Sequence, residues 1–419
     1  MSTPNVHILF FTIFTGLLLS TLCDINQTQN DVALFIFGDA LNDAGTNNNI
    51  NTTSAKTGQI GRKGLNRHNL KRFRTQSAPK KGLGLNRHNH KIFRTFLALF
   101  PTYDETFFHY PTGRITDGRI MADFIAEYAK LPLIPPYLQL KNDEFVGGAN
   151  FASIGAGALP ETFTGFVVDF KTQRKQFESL VKNLRDNLGD EKAERIVLDG
   201  VYFISIGLKE YVAVLNNPAL FQSVSKEDYV GMVVGNISTV LEDIYKVGAR
   251  KFGFTTMLPI GCLLAIQLAT GNDSCLRQGT ELSKLHNIRF SFIFIFIFIF
   301  THNAAFPATL AKLESQLQGF KYSLFDLYTS LTERIQHPSN YGFKDGETAC
   351  CGSGPYGGNY SCGGMRGVRE YSSCPNPAEY VFFNSNHLSE RAYHQFAQLI
   401  WNGSSPPYNL EALFKHGNV

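Results

Sequence analysis

Apolar positions along this chain follow two periods. Residues 31–38 (DVALFIFG) form a nearly continuous apolar run that ends in glycine, the pattern of a strand buried on both faces. GVYFISIG at 200–207 and KFGFTTM at 251–257 repeat it, and FKYSLFD at 320–326 is a weaker copy. Helical spacing lies between these runs. Phe170, Phe177, Val181, Leu184 and Leu188 share one helical face, and residues 118–130, 227–247 and 304–318 predict further helices. Ser389 is placed to cap a last helix reaching Trp401. Strands alternating with helices predict an α/β architecture, a mostly parallel sheet covered on both faces. In such sheets the functional residues gather at the carboxyl ends of the strands.

Two segments break the pattern. Residues 55–95 contain GLNRHNLKRFRT and GLNRHNHKIFRT, which agree at ten of twelve positions with a period of 20. Two copies are too few for a solenoid. Basic residues interleaved with Phe and His could meet RNA or an anionic membrane, but a solvated loop is the simpler reading. The second segment, 288–303, holds FSFIFIFIFIF. Strict Phe/Ile alternation in a strand would make both faces apolar, a composition prone to zipper aggregation. His286-Asn287 precedes this run and His302-Asn303 follows it, like a duplicated seam. Both segments therefore read as insertions, of the kind that translated intron sequence would supply.

The N-terminus points to a compartment. Ile8 to Leu19 is an apolar run of signal-peptide length, too short for a comfortable bilayer span, with Thr21 and Cys23 at the small-residue positions before Asp24. The expected organisation is a signal peptide over 1–23 and one domain over 31–403, interrupted by 55–95 and 288–303. Cutting after Cys23 leaves Cys262, Cys275, Cys350, Cys351, Cys362 and Cys374. An even number fits disulfides in an oxidising compartment, with the pairing open, and the absence of a CxxC pair argues against zinc. Sequons at Asn26, Asn51, Asn236, Asn272, Asn359 and Asn402 fit a secreted glycoprotein. No second apolar run is long enough for a transmembrane anchor.

Composition changes the picture little. The chain has 419 residues, 43% hydrophobic and 18% charged, enough for a large core and unlike a disordered chain. Its net charge of +4 is local: residues 56–94 hold 12 Lys/Arg and no acid, and the remainder balances at −8. A secretory route and this distribution both argue against nucleic acid as a partner.

The run FIFGDALNDAGTNNN at 35–49 sits where the first strand ends. With YPTGRITDGRIMADFIAEYAKLPLIPPYL (110–138), GANFASIGAGAL (148–159), MLPIGC (257–262), ACCGSGPY (349–356) and YVFFNSNHLSE (380–390), it resembles the plant GDSL esterase/lipase family of SGNH hydrolases. Within the family the chain looks most like the myrosinase-associated and ER-body-associated members, which include inactive lipase-like proteins. The resemblance implies a three-layer αβα sandwich of flavodoxin-like type. It also implies ester hydrolysis by a Ser–His–Asp triad with an oxyanion hole and no cofactor or metal. Such chemistry needs a hydroxyl that loses its proton to an imidazole, a carboxylate that orients the imidazole, and donors facing the developing oxyanion.

Placed on this sequence, the family's pattern is broken. Gly38 and Asp39 lead to Ala40 where the nucleophilic Ser should stand. A methyl group cannot attack a carbonyl. Gly155 keeps the oxyanion glycine, and Gly207 opens the next block, but Lys209 stands where an oxyanion Asn belongs. His387 keeps the base position, while Asn384 replaces the orienting Asp. Loss of a triad Ser alone costs on the order of 10⁶ in turnover. Ser153, Ser205 and Thr46 are weak substitutes: Ser153 reads as a turn residue and Ser205 as strand packing. Lys209 reads as ion-paired with Glu210.

The expectation is therefore an inactive binding or accessory protein on a hydrolase fold. The alternative is a weak or altered esterase acting on lipids or small acyl esters. By resemblance, partners would be a myrosinase-type β-glucosidase or a jacalin-related lectin. The location would be extracellular, an ER-derived body or the vacuole.

Overall fold

The computed structural model describes residues 32–50, 102–140, 145–162, 167–216, 224–270, 275, 291–368 and 370–415. Segments 1–23 and 55–95, and the sequons at Asn26, Asn51 and Asn272, lie outside the described residues.

In chain order the main elements begin with β1 (Leu34–Gly38), α1 (Met121–Tyr128), β2 (Gly148–Asn150), α2 (Phe170–Leu188), α3 (Asp190–Asp199) and β3 (Val201–Ser205). Next come α4 (Leu208–Asn216), α5 (Lys226–Val247), β4 (Lys251–Thr255), α6 (Leu264–Thr270), α7 (Ser291–Gln316), β5 (Lys321–Phe325) and α8 (Leu327–Gln336). The short strands β6 (Asp345–Ala349), β7 (Cys351–Gly352), β8 (Ser372–Ser373) and β9 (Tyr380–Phe382) precede α9 (Glu390–Asn402) and α10 (Leu410–Lys415).

Five strands form one parallel sheet in the order β2-β1-β3-β4-β5. The order reverses beside β1, which makes its carboxyl end a switch point where loops diverge and a cleft can form. The four longer strands are the expected apolar runs. β2 (GAN) was not expected, because three small or polar residues carry no strand signal.

One layer consists of α2, α5 and α7 packed side by side, and the other of α1, α9 and α10, with Arg334 of α8 donating to Gln395 of α9 at 2.9 Å. Phe170, Phe177, Val181 and Leu184 of α2 are buried as the spacing predicts, with Phe177 edge-on to Phe35, Phe37 and Tyr202 of the sheet. Asp169 starts this helix by accepting the Thr172 N–H at 3.0 Å. On the opposite face α10 lies close to β4: a Cβ on Gly253 would come within 2.6 Å of Leu410. Ser389 caps α9 as expected, and the short α10 follows it. No described helix is long and apolar enough to cross a membrane.

The Phe/Ile run departs from expectation. From Ser291 it is the first half of α7 and not a strand. A run that is apolar on every side has no preferred face, so its neighbours decide. It continues without a break into the helical residues 304–316, and extending a helix is far cheaper than nucleating a new element. Phe298 and Ile299 are buried, and Phe298 stacks on Tyr211 at 5.3 Å. The seam that follows is built into the core. His302 Nδ1 is 2.8 Å from the Tyr211 hydroxyl. Asn303 accepts the Met257 N–H at 2.8 Å and donates to its carbonyl at 3.1 Å.

All six cysteines after Cys23 are paired: Cys262–Cys275, Cys350–Cys374 and Cys351–Cys362. The sequence left this pairing open. Two of the bridges anchor the segment that runs into β9 and the loop carrying His387. Asn359 and Asn402 are exposed; Asn236 lies on α5 and donates to the Met232 carbonyl at 2.9 Å.

Candidate active site

The site is assembled at the carboxyl ends of β1, β2 and β3. β1 ends at Gly38 with φ 135°, where an added Cβ would lie 2.1 Å from the Ser205 carbonyl oxygen. Only glycine allows so close an approach of two backbones. The Gln173 side chain holds this peptide, accepting the Gly38 N–H at 2.9 Å and donating to its carbonyl at 2.9 Å. The chain then turns: Asp39 donates its N–H to Ser205 at 3.0 Å, and its carboxyl accepts the Leu41 N–H at 3.3 Å. Ala40, half-buried, sits in that turn. Burial raises the pKa of Asp39, and the charge of Lys209 opposes the rise.

β2 leads into the turn that carries Gly155, which has φ 85°. Asp43 joins this turn to the first one. Its carboxylate accepts N–H groups from Gly45 at 2.7 Å, Thr46 at 2.6 Å and Ile154 at 2.8 Å, while burial pushes its pKa up to about 6. Asn150 adds a second strut by donating to the Asn42 carbonyl at 2.7 Å. Neither residue was singled out from sequence. The acid after Asn42 was legible as a turn former, but its partner is more than a hundred positions away.

The candidate substitutes stay structural. Ser153 donates to Asn47 Oδ1 at 2.6 Å and accepts the Val168 N–H at 3.1 Å. Ser205 is buried and accepts from Thr255 at 3.2 Å. The Thr46 hydroxyl is also buried.

After β3, Gly207 (φ 112°) starts the turn into α4, whose second residue is Lys209. The expected Lys209–Glu210 ion pair is absent. Glu210 is fully buried and faces the loop after β2, accepting the Leu159 N–H at 3.0 Å and the Thr162 hydroxyl at 2.9 Å. Successive helical residues point about 100° apart, so the two side chains diverge. Burial pushes Glu210 up to about 7. Lys209 is half-buried, and its charge acts on both Asp39 and His387.

His387 and Asn384 lie in the loop between β9 and α9. Asn384 Oδ1 accepts the backbone N–H groups of Asn386 and His387, both at 3.0 Å, and lies 2.9 Å from His387 Nδ1. Its Nδ2 donates to the Ile115 carbonyl at 3.3 Å. Backbone N–H groups only donate, so the atom facing His387 is the amide oxygen. The imidazole therefore carries its proton on Nδ1 and presents the Nε2 lone pair. Burial, helped by the charge of Lys209, lowers its pKa to about 3. Beside Asp39 a crevice bordered by Leu41, Ser205, Thr255 and Met257 leaves about 10 Å³, room for one water. No cluster of metal-ligating side chains occurs among the described residues.

A doubly wound αβα domain with glycine turns at Gly38, Gly155 and Gly207 beyond the carboxyl ends of β1, β2 and β3 has the fold of a hydrolase family. The family model for GDSL-like lipase/acylhydrolases matches residues 34–400. The chain belongs to that family. It is 40% identical to GDSL esterase/lipase 5 of Arabidopsis thaliana, over 93% of this chain and 89% of the relative. It is equally similar, at 40%, to a GDSL lipase of Tanacetum cinerariifolium, with the same coverage. Inactive GDSL esterase/lipase-like protein 25 of Arabidopsis thaliana is 32% identical over 75% of this chain and 68% of its own length.

Proposed function

We propose that this chain is a catalytically silent GDSL protein that works by binding, as an accessory factor in the secretory pathway. One observation carries the reading: Ala40 occupies the turn in which the reaction needs a hydroxyl. Lys209 replaces the amide that would complete the oxyanion hole with a longer, charged side chain, and Asn384 lacks the charge that would stabilise an imidazolium. The three disulfides and the N-terminal apolar run support an oxidising, secretory location. A β-glucosidase of myrosinase type or a jacalin-related lectin is the partner class proposed from the family resemblance. Co-purification from native tissue tests it, and recovery of neither removes it.

A second reading, a weak esterase for lipids or small acyl esters, draws on the names of the relatives at 40% identity and on the base-type tautomer of His387. Hydrolysis of p-nitrophenyl butyrate by the purified chain separates the two. The comparison is with a revertant carrying Ala40→Ser, Lys209→Asn and Asn384→Asp. A silent native chain beside an active revertant supports the binding reading. Turnover by the native chain that is lost on His387→Ala overturns it.

A further inference from the structure

The segment between residues 104 and 117 braces both sides of the candidate site. Asn48, in the turn that follows Ala40 and Asp43, donates to the Thr112 carbonyl at 3.4 Å. On the His387 side, Asn384 donates to the Ile115 carbonyl at 3.3 Å and Thr116 donates to the Leu388 carbonyl at 2.7 Å. The Asp117 carboxyl accepts the Glu390 N–H at 2.8 Å. The same segment exposes an aromatic patch. Tyr110 is 64% exposed and Phe107 42%. Phe108 joins them, its ring 4.9 Å from Phe107 and 6.4 Å from Tyr110.

The patch is held in shape from behind. Asp104 and His109 turn the chain at φ 63° and 58°, a conformation that these residue types tolerate. The Asp104 carbonyl accepts the Phe108 and His109 N–H groups at 3.1 and 2.9 Å, and its carboxyl accepts the Thr112 N–H and hydroxyl. Thr106 donates its N–H to the Asp117 carbonyl at 2.8 Å. The Arg114 guanidinium lies 4.6 Å from the Phe108 ring and that of Arg119 lies 4.1 Å from Phe107. Both charges are balanced, Arg114 by Asp123 and Arg119 by Glu390 and Glu127.

These features favour a lipid surface as the occupant. Residues 106–111 (TFFHYP) contain no acid, Lys or Arg. The N–H groups of Thr106, Phe108, His109 and Thr112 are already bonded within the segment, and Pro111 has none. The tip can therefore enter an apolar phase without stranding those donors. Tyrosine suits the boundary of such a phase, its ring buried and its hydroxyl at the headgroups. With the arginines balanced, the attraction needs no anionic headgroup. We propose that the 104–112 turn seats this chain on an electrically neutral lipid surface, beside the candidate site. The proposal is independent of whether the site turns over an ester.

Co-sedimentation of the purified full chain with phosphatidylcholine vesicles tests this. The native chain is expected to bind, equally at about 0.1 and about 0.5 M salt. Phe107→Ser with Tyr110→Ser should weaken binding by at least about tenfold. Tyr110→Trp should keep it, and its emission should move to shorter wavelength on vesicles, against the fixed signal of Trp401, the one native tryptophan. The Phe/Ile stretch stays in place in every variant, so binding that survives the serine substitutions arises elsewhere and overturns the proposal. Binding confined to anionic vesicles and lost at high salt also overturns it. So does a native chain that ignores vesicles but dimerises through these rings. Matching melting curves exclude misfolding as the cause of a loss. If the double variant melts early, Tyr110→Ser alone decides, with an expected loss of about threefold.

Discussion

Asn384 Oδ1 stands 2.9 Å from His387 Nδ1 while holding two backbone N–H groups. Replacing Asp by Asn in a triad ordinarily damages it by turning the amide N–H₂ toward the imidazole, which selects the wrong tautomer. Here the backbone donors prevent that rotation. The substitution removes a charge and keeps the geometry.

Ala40→Ser alone should therefore give measurable ester hydrolysis. Adding Asn384→Asp should raise kcat further, by about tenfold or more, because only a carboxylate stabilises the imidazolium. Steady-state kinetics with p-nitrophenyl butyrate check this order. No gain from Ala40→Ser would mean that the turn does not present residue 40 to His387.

The imidazole itself reports on the site. His387 should remain neutral down to about pH 4 in the native chain, given a pKa lowered to about 3. Asn384→Asp should raise that pKa, and Lys209→Met should raise it by less, since burial is the larger cause. Proton NMR titration of the ring resolves the three proteins. A native imidazole that titrates near 6.5 would contradict the buried, Lys209-facing placement.

Stability should depend on pH through Glu210. Its pKa rises from 4.5 to about 7 on folding, so between those values the folded chain holds a proton that the unfolded chain has lost. Its contribution is full below pH 4.5, declines as pH rises and is gone above about 7, for a change of at most about 3 kcal/mol. Asp104, pushed up to about 7, and Asp43, pushed up to about 6, act in the same direction. His302 and His387, both lowered to about 3, act oppositely by favouring unfolding below 6.5. Glu210→Gln should therefore stabilise the chain at pH 8 and lose that advantage by pH 5. Denaturant melts at both values decide; a gap that widens toward pH 5 refutes the assignment.

Deleting residues 288–303 joins His286-Asn287 directly to Ala304. The transplanted pair should take over the Tyr211 and Met257 contacts now made by His302 and Asn303. The expected product has a higher soluble yield and a melting temperature within about 4 °C of the parent. A fall well beyond that would show that the Phe/Ile stretch stabilises the domain.

Much of this was legible in the sequence wherever a side chain's role is local. The four long strands announced themselves as apolar runs, and the face of α2 follows from Phe170, Phe177, Val181 and Leu184. Ala40, Gly155, Lys209, Asn384 and His387 stand out once the family pattern is laid on the chain. What stayed hidden depends on distant partners. Glu210 appeared to be a surface acid beside Lys209 until the loop at 157–162 closed over it. The Phe/Ile stretch has a strand's alternation, yet helical propagation from residues 304–316 outweighs it. Asp43 bridges two turns that no window of sequence contains together.

The two hydrogen bonds from Gln173 to Gly38 carry a consequence for the history of this site. They, with the hydrogen bonds of Asp43, set the backbone path of the turns through contacts made by side chains outside the triad positions. The side chain at position 40 has no part in them. Residue 40 could therefore change without any loss of folding, whatever that change does to the chemistry. Selection on stability alone would preserve the backbone path of these turns, whatever side chain stands at position 40.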